Sequence, residues 1–151
     1  VNLQSSTCVE LAKHNNIVAV KEASGNLQQI MEILRDKPND FDVLSGDDSI
    51  TQPMMALGAK GVISVAANGY PDMFCKMVTA MMNKDVATAL PLHYKMLKMN
   101  NLIFADGNPA GIKCLMAYQN LCKNVLRLPL VTVGENVKND LENECKVMYN
   151  K

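Results

Sequence analysis

The chain has 151 residues, with 15 basic and 15 acidic side chains and a formal net charge of zero. Its 48% hydrophobic and 20% charged residues are typical of a globular protein and argue against a disordered or collagen-like chain. The neutral charge gives no reason to expect nucleic acid or a membrane surface as a partner, and no apolar run approaches the ~18 residues of a membrane-spanning helix.

The cysteines and histidines form no metal-binding pattern. The five cysteines are scattered without a C-x-x-C pair, and the two histidines, His14 and His93, lie far apart in the sequence. An odd number of scattered cysteines, without a secretion-signal pattern, predicts reduced thiols in a cytoplasmic protein. We therefore expect no structural zinc site.

The first seventy residues alternate between helical and strand patterns. Ser5, Ser6 and Thr7 are candidate N-caps for a short first helix. Apolar runs predict strands over residues 17–20, 41–44 and 61–65. Between them, apolar positions at helical spacing predict helices over 27–34 and 50–57. A turn and cap at Ser24-Gly25-Asn26 precedes the first helix, and Gly58 ends the second. This order predicts right-handed βαβ units and a parallel sheet.

The second half carries helical patterns and no convincing strand. Helices are predicted from Pro71, from Val86, from Pro109 to Cys122, and from Glu135 to Tyr149. No linker rich in Gly, Ser or Pro separates the two halves. We therefore predict an α/β part over 1–70 and a helical region over 71–151 packed on it, in one continuous unit.

The polar residues of the first half collect where the strands end. These positions are Lys21-Glu22-Ala23-Ser24, Ser45-Gly46-Asp47-Asp48 and Ser64-Val65-Ala66-Ala67-Asn68. In parallel α/β folds the chemistry lies at the carboxyl ends of the strands. The sequence therefore predicts a shared small-molecule pocket there.

Lys21 is the strongest candidate for chemistry among these residues. On a strand of period two it shares a face with Ile17 and Ala19. In a partly desolvated pocket the charged ammonium is disfavoured, and the neutral amine can attack a carbonyl group to form a Schiff base. The alternative is that Lys21 ends a strand and reaches solvent, as most lysines do.

Two other polar features have ordinary structural interpretations. Asp47 and Asp48 could hold a metal ion or act as an acid–base pair, but no third oxygen ligand is in view, so we favour a helix cap. A non-catalytic α/β module that binds a divalent ion through this pair remains an alternative. His93 lies on an apolar helical stripe, which favours a hydrogen-bonded packing histidine over a catalytic base.

Three ordered motifs carry a resemblance to a known family. They are Ile17-Val18-Ala19-Val20-Lys21-Glu22-Ala23-Ser24-Gly25-Asn26, Leu44-Ser45-Gly46-Asp47-Asp48 and Gly58-Ala59-Lys60-Gly61-Val62-Ile63-Ser64-Val65. The first resembles the Schiff-base segment of the dihydrodipicolinate synthase family, and the others resemble its next two strand ends. Phe104-Ala105-Asp106-Gly107-Asn108-Pro109 and Arg127-Leu128-Pro129-Leu130 resemble its C-terminal helical region. The resemblance covers essentially the whole chain.

The resemblance implies a (β/α)₈ barrel followed by a helical extension. It implies that Lys21 forms a Schiff base with pyruvate, and that the enamine condenses with aspartate semialdehyde on the path to diaminopimelate and lysine. It implies that Gly46 and the Ile63 backbone line the pyruvate pocket, that no metal or organic cofactor takes part, and that the enzyme is a homotetramer. Another pyruvate-dependent aldolase of the superfamily, similar to N-acetylneuraminate lyase, is the alternative.

The chain departs from the family pattern in two ways. Ala110-Gly111 stands where many members have Ile-Pro, at the entry to a helix near the barrel mouth. The chain is also too short for the whole barrel, because eight βα units alone need about 200 residues. Its three strands match only the last three units. We therefore expect this chain to be part of a longer polypeptide and, on its own, not to be a competent enzyme.

Overall fold

Three short strands form a parallel sheet in the computed structural model, which describes residues 1–149. The strands are β1 (Ala19–Glu22), β2 (Asp42–Ser45) and β3 (Gly61–Val62), in the spatial order β1-β2-β3. Val20 is level with Val43 and Glu22 with Ser45, while Leu44 is level with Gly61. The parallel order confirms the predicted βαβ rhythm.

The boundaries of all three strands differ from the prediction, and β2, predicted over 41–44, is shifted by one residue. β1 was predicted to end at Val20, but it includes Lys21 and Glu22, which pair with the end of β2. β3 was predicted over residues 61–65 but contains only Gly61 and Val62. The backbone of Val65 is helical, with φ −85° and ψ −45°, because a 3₁₀ turn at Ala66–Asn68 begins there.

Helices α1 (Ser5–Leu11), α2 (Leu27–Asp36) and α3 (Thr51–Leu57) accompany the sheet. Asn26 caps α2 as predicted, since its side chain accepts hydrogen bonds from the backbone N–H groups of Gln28 and Gln29 at 3.1 and 3.2 Å. α3 ends at Gly58, whose φ of +119° lies in the left-handed region that favours glycine. The predicted cap of α1 was wrong.

At the start of α1, the N-cap is Gln4, and its side chain makes no capping bond. Ser5 is already the first helical residue, and its hydroxyl donates to Oε2 of Glu32 on α2 at 2.7 Å. A serine hydroxyl that is engaged by a neighbouring helix is not available to cap its own. The predicted cap therefore contributes to helix–helix contact instead.

The helices bury one face of the sheet. Fully buried apolar side chains from α2, α3 and the sheet form this core together with residues of α1. They include Cys8, Ile30, Ile33, Phe41, Val43 and Met54, each at most 2% exposed. Burial of each large apolar side chain stabilises the fold by about 1.5–3 kcal/mol. This core fixes the sheet on which Lys21 lies.

Four further helices follow, α4 (Pro71–Met82), α5 (Val86–Leu102), α6 (Ala110–Tyr118) and α7 (Glu135–Tyr149). α7 has the predicted bounds, whereas α6 ends at Tyr118 and not at Cys122. Asn120 adopts a left-handed φ of +62°, and the N–H of Leu121 donates to the carbonyl of Met116 at 2.9 Å. This pairing terminates the helix in the manner of a Schellman motif. No helix within residues 1–149 is both long enough and apolar enough to cross a membrane.

The chain forms two compact units. The first contains residues 1–64 and 78–89, and the second contains residues 65–77 and those from 90 onward. In the second unit the Tyr70 hydroxyl donates to Oδ1 of Asn100, and α6 packs against α7. The predicted division at residues 70 and 71, within one continuous unit, stays a prediction.

The backbone of α6 approaches the end of α5 very closely at Gly111. A Cβ added to Gly111 would overlap the carbonyl oxygen of Ile103 and lie 2.6 Å from its carbonyl carbon. Cβ atoms do not approach a backbone so closely, so this packing requires glycine. Gly111 is one of the two residues at which the resemblance implies a departure from the family pattern.

Candidate active site

The second face of the sheet carries Lys21. Register places Lys21 level with Leu44, and Leu44 level with Gly61, on the face opposite to Val20 and Val43. Ile63 follows Val62 and belongs to the same side by alternation. We call this side, with Ala19, Lys21, Leu44, Gly61 and Ile63, the lysine face.

Gly46 lies directly against the lysine side chain. A Cβ on Gly46 would be 2.9 Å from Cε of Lys21, 3.0 Å from its Cγ, and 2.8 Å from Cβ of Ala23. The N–H of Ile63 donates to the carbonyl of Ser45, next to Gly46, at 2.9 Å. The three residues that the sequence predicts for the site, Lys21, Gly46 and Ile63, therefore lie at adjoining strand ends.

Lys21 is exposed within residues 1–149, so the partial desolvation expected for it is absent in this part of the chain. Ile63, on the same face, is 50% exposed. The lysine face therefore presents its amine in the open, with little apolar cover from its neighbours on the sheet.

The turn after β1 is fixed by a carboxylate that sequence reasoning overlooked. Glu22 is only 6% exposed, and its two carboxylate oxygens accept from the N–H of Ser24 at 3.2 and 3.3 Å. Its Oε1 also accepts from Nε2 of Gln29 at 3.2 Å. The available signal was alternation, because Glu22 shares a face with Val18 and Val20, where an apolar residue is expected.

The turn after β2 confirms the cap interpretation of Asp47. Its Oδ1 accepts from the N–H of Ser49 at 2.9 Å and caps the 3₁₀ turn Asp48–Ile50. The hydroxyls of Ser45 and Thr51 each donate to the Asp47 carbonyl at 2.8 Å, which fixes the path of the chain around Gly46. Among residues 1–149, no three His, Cys, Asp or Glu side chains are grouped to hold a metal ion.

A cavity of about 430 Å³ runs along β1 and has Lys21 at its wall. Glu22, Gln29 and the N-terminal residues Val1–Leu3 line it, together with Cys8. Burial, followed by the nearby Glu22 carboxylate, raises the pKa of the Cys8 thiol above its ordinary value. The Cys8 thiol therefore stays protonated and is a poor nucleophile.

His93 is a buried residue of α5, at 7% exposure, but the predicted hydrogen bond is missing. Its Nδ1 has no hydrogen-bond partner among residues 1–149, and its ring instead contacts that of Tyr94 with centroids 5.5 Å apart. Burial lowers the pKa of His93. The interpretation as a packing histidine holds, and within residues 1–149 the expected hydrogen bond is missing at Nδ1.

Comparisons with known proteins place this chain in a family. Residues 1–148 match the Dihydrodipicolinate synthetase family. The 4-hydroxy-tetrahydrodipicolinate synthase of Phocaeicola vulgatus is 44% identical over 153 residues, which cover 96% of this chain and 52% of that protein. The chain thus spans about half the length of the curated relatives that it matches.

Solved structures give the same result for the fold. The dihydrodipicolinate synthase of Aquifex aeolicus matches with a TM-score of 0.92 and 38% identity, over 99% of this chain and 51% of that chain. The chloride-inhibited enzyme of Acinetobacter baumannii complexed with pyruvate matches with a TM-score of 0.95 and 32% identity, over the same shares of both chains. These matches confirm the predicted α/β class, with three parallel βα units of a (β/α)₈ barrel and a helical region. The chain therefore belongs to the dihydrodipicolinate synthetase family.

Proposed function

We propose that the protein carrying this chain condenses pyruvate with aspartate semialdehyde, in the biosynthesis of diaminopimelate and lysine, through a Schiff base on Lys21. The observation that carries the proposal is the fit of the Lys21 side chain against Gly46, beside the backbone of Ile63. The names of the relatives and the pyruvate complex of the Acinetobacter baumannii enzyme support the same substrate.

In the proposed reaction, the neutral amine of Lys21 attacks the ketone carbon of pyruvate and forms a carbon–nitrogen bond. The carbinolamine loses water and becomes an iminium ion, which acidifies the pyruvate methyl group. Loss of a methyl proton gives an enamine. Its nucleophilic carbon then attacks the aldehyde carbon of aspartate semialdehyde and forms the new carbon–carbon bond.

Gly46 and Ile63 contribute space and backbone polarity in this proposal. Gly46 provides the room in which the lysine stem turns towards substrate, since its position has no Cβ. The N–H of Ile63 already donates to Ser45, so the backbone group that Ile63 offers to pyruvate is its carbonyl. Lys21 is the catalytic residue, and the other two line the pyruvate pocket.

The protein as a whole is proposed to be a cytoplasmic homotetramer that needs no metal or organic cofactor. We expect the isolated 151-residue chain to show no turnover of pyruvate and aspartate semialdehyde, because it spans about half the length of its relatives. Light scattering on the complete protein tests the assembly, and a mass of one or two chains contradicts the tetramer.

Borohydride reduction in the presence of pyruvate tests the chemistry. We expect one reduced pyruvate adduct per chain, on the peptide that contains Lys21, and none in Lys21→Arg. Lys13→Arg is the matched control, because Lys13 is exposed and pairs with Glu10. An adduct on another lysine, or none, overturns the proposal. Turnover with N-acetylmannosamine in place of aspartate semialdehyde would instead assign the lyase-like alternative.

A further inference from the structure

Glu22 is a buried carboxylate immediately after the proposed nucleophile. Because successive strand residues point to opposite faces, its side chain lies on the helix-covered face while Lys21 lies on the lysine face. Any roll of the strand about its own axis moves both side chains together. A firm anchor on Glu22 therefore restricts the direction in which Lys21 can point.

The anchor on Glu22 is a hydrogen-bond network that joins three segments. Its carboxylate accepts from the N–H of Ser24 and from Nε2 of Gln29. The same Gln29 nitrogen donates to the carbonyl of Leu3 at 3.2 Å, and Gln29 Oε1 accepts from Nδ2 of Asn2 at 2.7 Å. The strand end is thereby tied to the following turn, to α2 and to the N-terminal segment.

The backbone of Glu22 also contacts Gly46, the residue that lies against the Lys21 side chain. Its carbonyl accepts from the N–H of Gly46 at 2.7 Å. Glu22 thus contacts the glycine against which the Lys21 side chain lies, and it holds the turn that follows Lys21. Glu22 therefore holds Gly46 through its backbone carbonyl and the strand end at Lys21 through its side chain.

No lysine or arginine forms an ion pair with Glu22 within the described part of the chain. Its charge is met by directional N–H donors alone. A buried carboxylate that is held in this way has little freedom, since losing a donor leaves charge unpaired in a low-dielectric environment. Such a group is suited to setting a geometry.

We propose that Glu22 is a positioning residue that orients Lys21 against Gly46 by anchoring the end of β1 from the opposite face. The inference rests on the proposed function of Lys21 and extends it to the residue that aims the amine. Glu22 itself contacts no substrate in this proposal, because its carboxylate is engaged by Ser24 and Gln29.

Glu22→Gln in the complete protein tests the inference. The amide oxygen can replace Oε1 and accept from both donors, but the NH₂ group then replaces Oε2 opposite the N–H of Ser24, and the negative charge that strengthens these hydrogen bonds is lost. We expect the limiting rate of adduct formation at saturating pyruvate to fall about tenfold or more. The pyruvate concentration at half-saturation and the final adduct stoichiometry stay unchanged. Glu10→Gln, which alters an exposed carboxylate on α1, is the matched control and keeps the full rate.

The double variant Glu22→Gln/Gln29→Glu provides the rescue. Its amide donates to the new carboxylate at position 29 and accepts from Ser24. Because the Leu3 carbonyl loses its donor, we expect the rate to rise above that of Glu22→Gln without reaching that of the wild type. A purely structural role predicts loss of folded protein, at an unchanged rate per folded chain. A Glu22→Gln rate within twofold of the wild type, or a double variant that is no faster than Glu22→Gln, overturns the inference.

Hydrogen exchange separates this inference from the proposed function. The amide of Gly46 donates to the Glu22 carbonyl, so we expect its exchange to accelerate in Glu22→Gln and to stay unchanged in Glu10→Gln. Unchanged exchange of Gly46 overturns the positioning role. A wild type that forms no adduct on Lys21 overturns the proposed function, and the exchange result still decides the anchor.

Discussion

The side chain of Lys21 occupies the space that a Cβ on Gly46 would need. The distances from such a Cβ to Cε and Cγ of Lys21 would be 2.9 and 3.0 Å, and the distance to Cβ of Ala23 would be 2.8 Å, so a side chain at position 46 forces its neighbours after β1 to shift. Position 46 is therefore constrained by its neighbour across the sheet as well as by any ligand.

Gly46→Ala is expected to slow Schiff-base formation by about tenfold or more, because the new methyl group displaces the amine from its path. The measurement is the rate of borohydride-trapped pyruvate adduct in the complete protein. Gly61→Ala is the matched control, since its Cβ would meet Leu44 at an ordinary 3.7 Å. Equal rates in the two variants would refute the steric explanation.

Asn26→Ala is expected to destabilise the protein by about 1 kcal/mol, because two N–H groups at the start of α2 lose their acceptor. Thermal or urea unfolding measures the change. Gln4→Ala is the control, since Gln4 caps α1 without a side-chain bond and its loss should leave stability unchanged. Asn26→Asp, which retains the acceptor, should recover most of the stability; a loss equal to that of the alanine variant would contradict the cap.

His93 is expected to make stability fall on acidification. Its pKa is lowered in the folded protein, so below the ordinary value of 6.5 the unfolded chain binds protons that the folded chain does not. Above pH 6.5 the free energy of unfolding is not reduced by His93. Below pH 6.5 it falls, with a slope of at most about 1.4 kcal/mol per pH unit.

Unfolding of the complete protein at pH 5.5 and pH 7.5 measures this dependence. We expect His93→Phe to lose part of it, because the buried ring then carries no titrating nitrogen. His14→Gln, which replaces an exposed histidine, is the control variant. The same pH dependence in His93→Phe and wild type would show that another group is responsible.

The location of the candidate site could be predicted from the sequence, because it depends only on the order of the strands. Parallel strands bring their carboxyl ends to one edge, so the predicted location of Lys21 and Gly46 at neighbouring ends needed only the βαβ rhythm. The contact between them depends on side-chain length and sheet register, which no local pattern specifies. Glu22 was overlooked because its anchors, Gln29 and Ser24, lie on a helix and a turn outside the strand pattern.

Helix ends were predicted where the terminating residue has a strong preference. Gly58 was recognised, because glycine adopts a positive φ without strain. The end of α6 was not, because Asn120 adopts the same conformation with a side chain; its N–H donates to the Ala117 carbonyl, and the N–H of Leu121 makes the longer-range bond to the Met116 carbonyl. Local composition does not report that bond.

The tight packing at Gly111 has a consequence for transferring loop geometry between relatives. A member of the family with Ile-Pro at residues 110 and 111 has a Cβ where the Ile103 carbonyl lies in this protein. Its backbone must run farther from the end of α5, and the connecting residues from Phe104 to Pro109 must follow another path. A connection copied from such a member onto this chain would therefore have to be rebuilt rather than transferred.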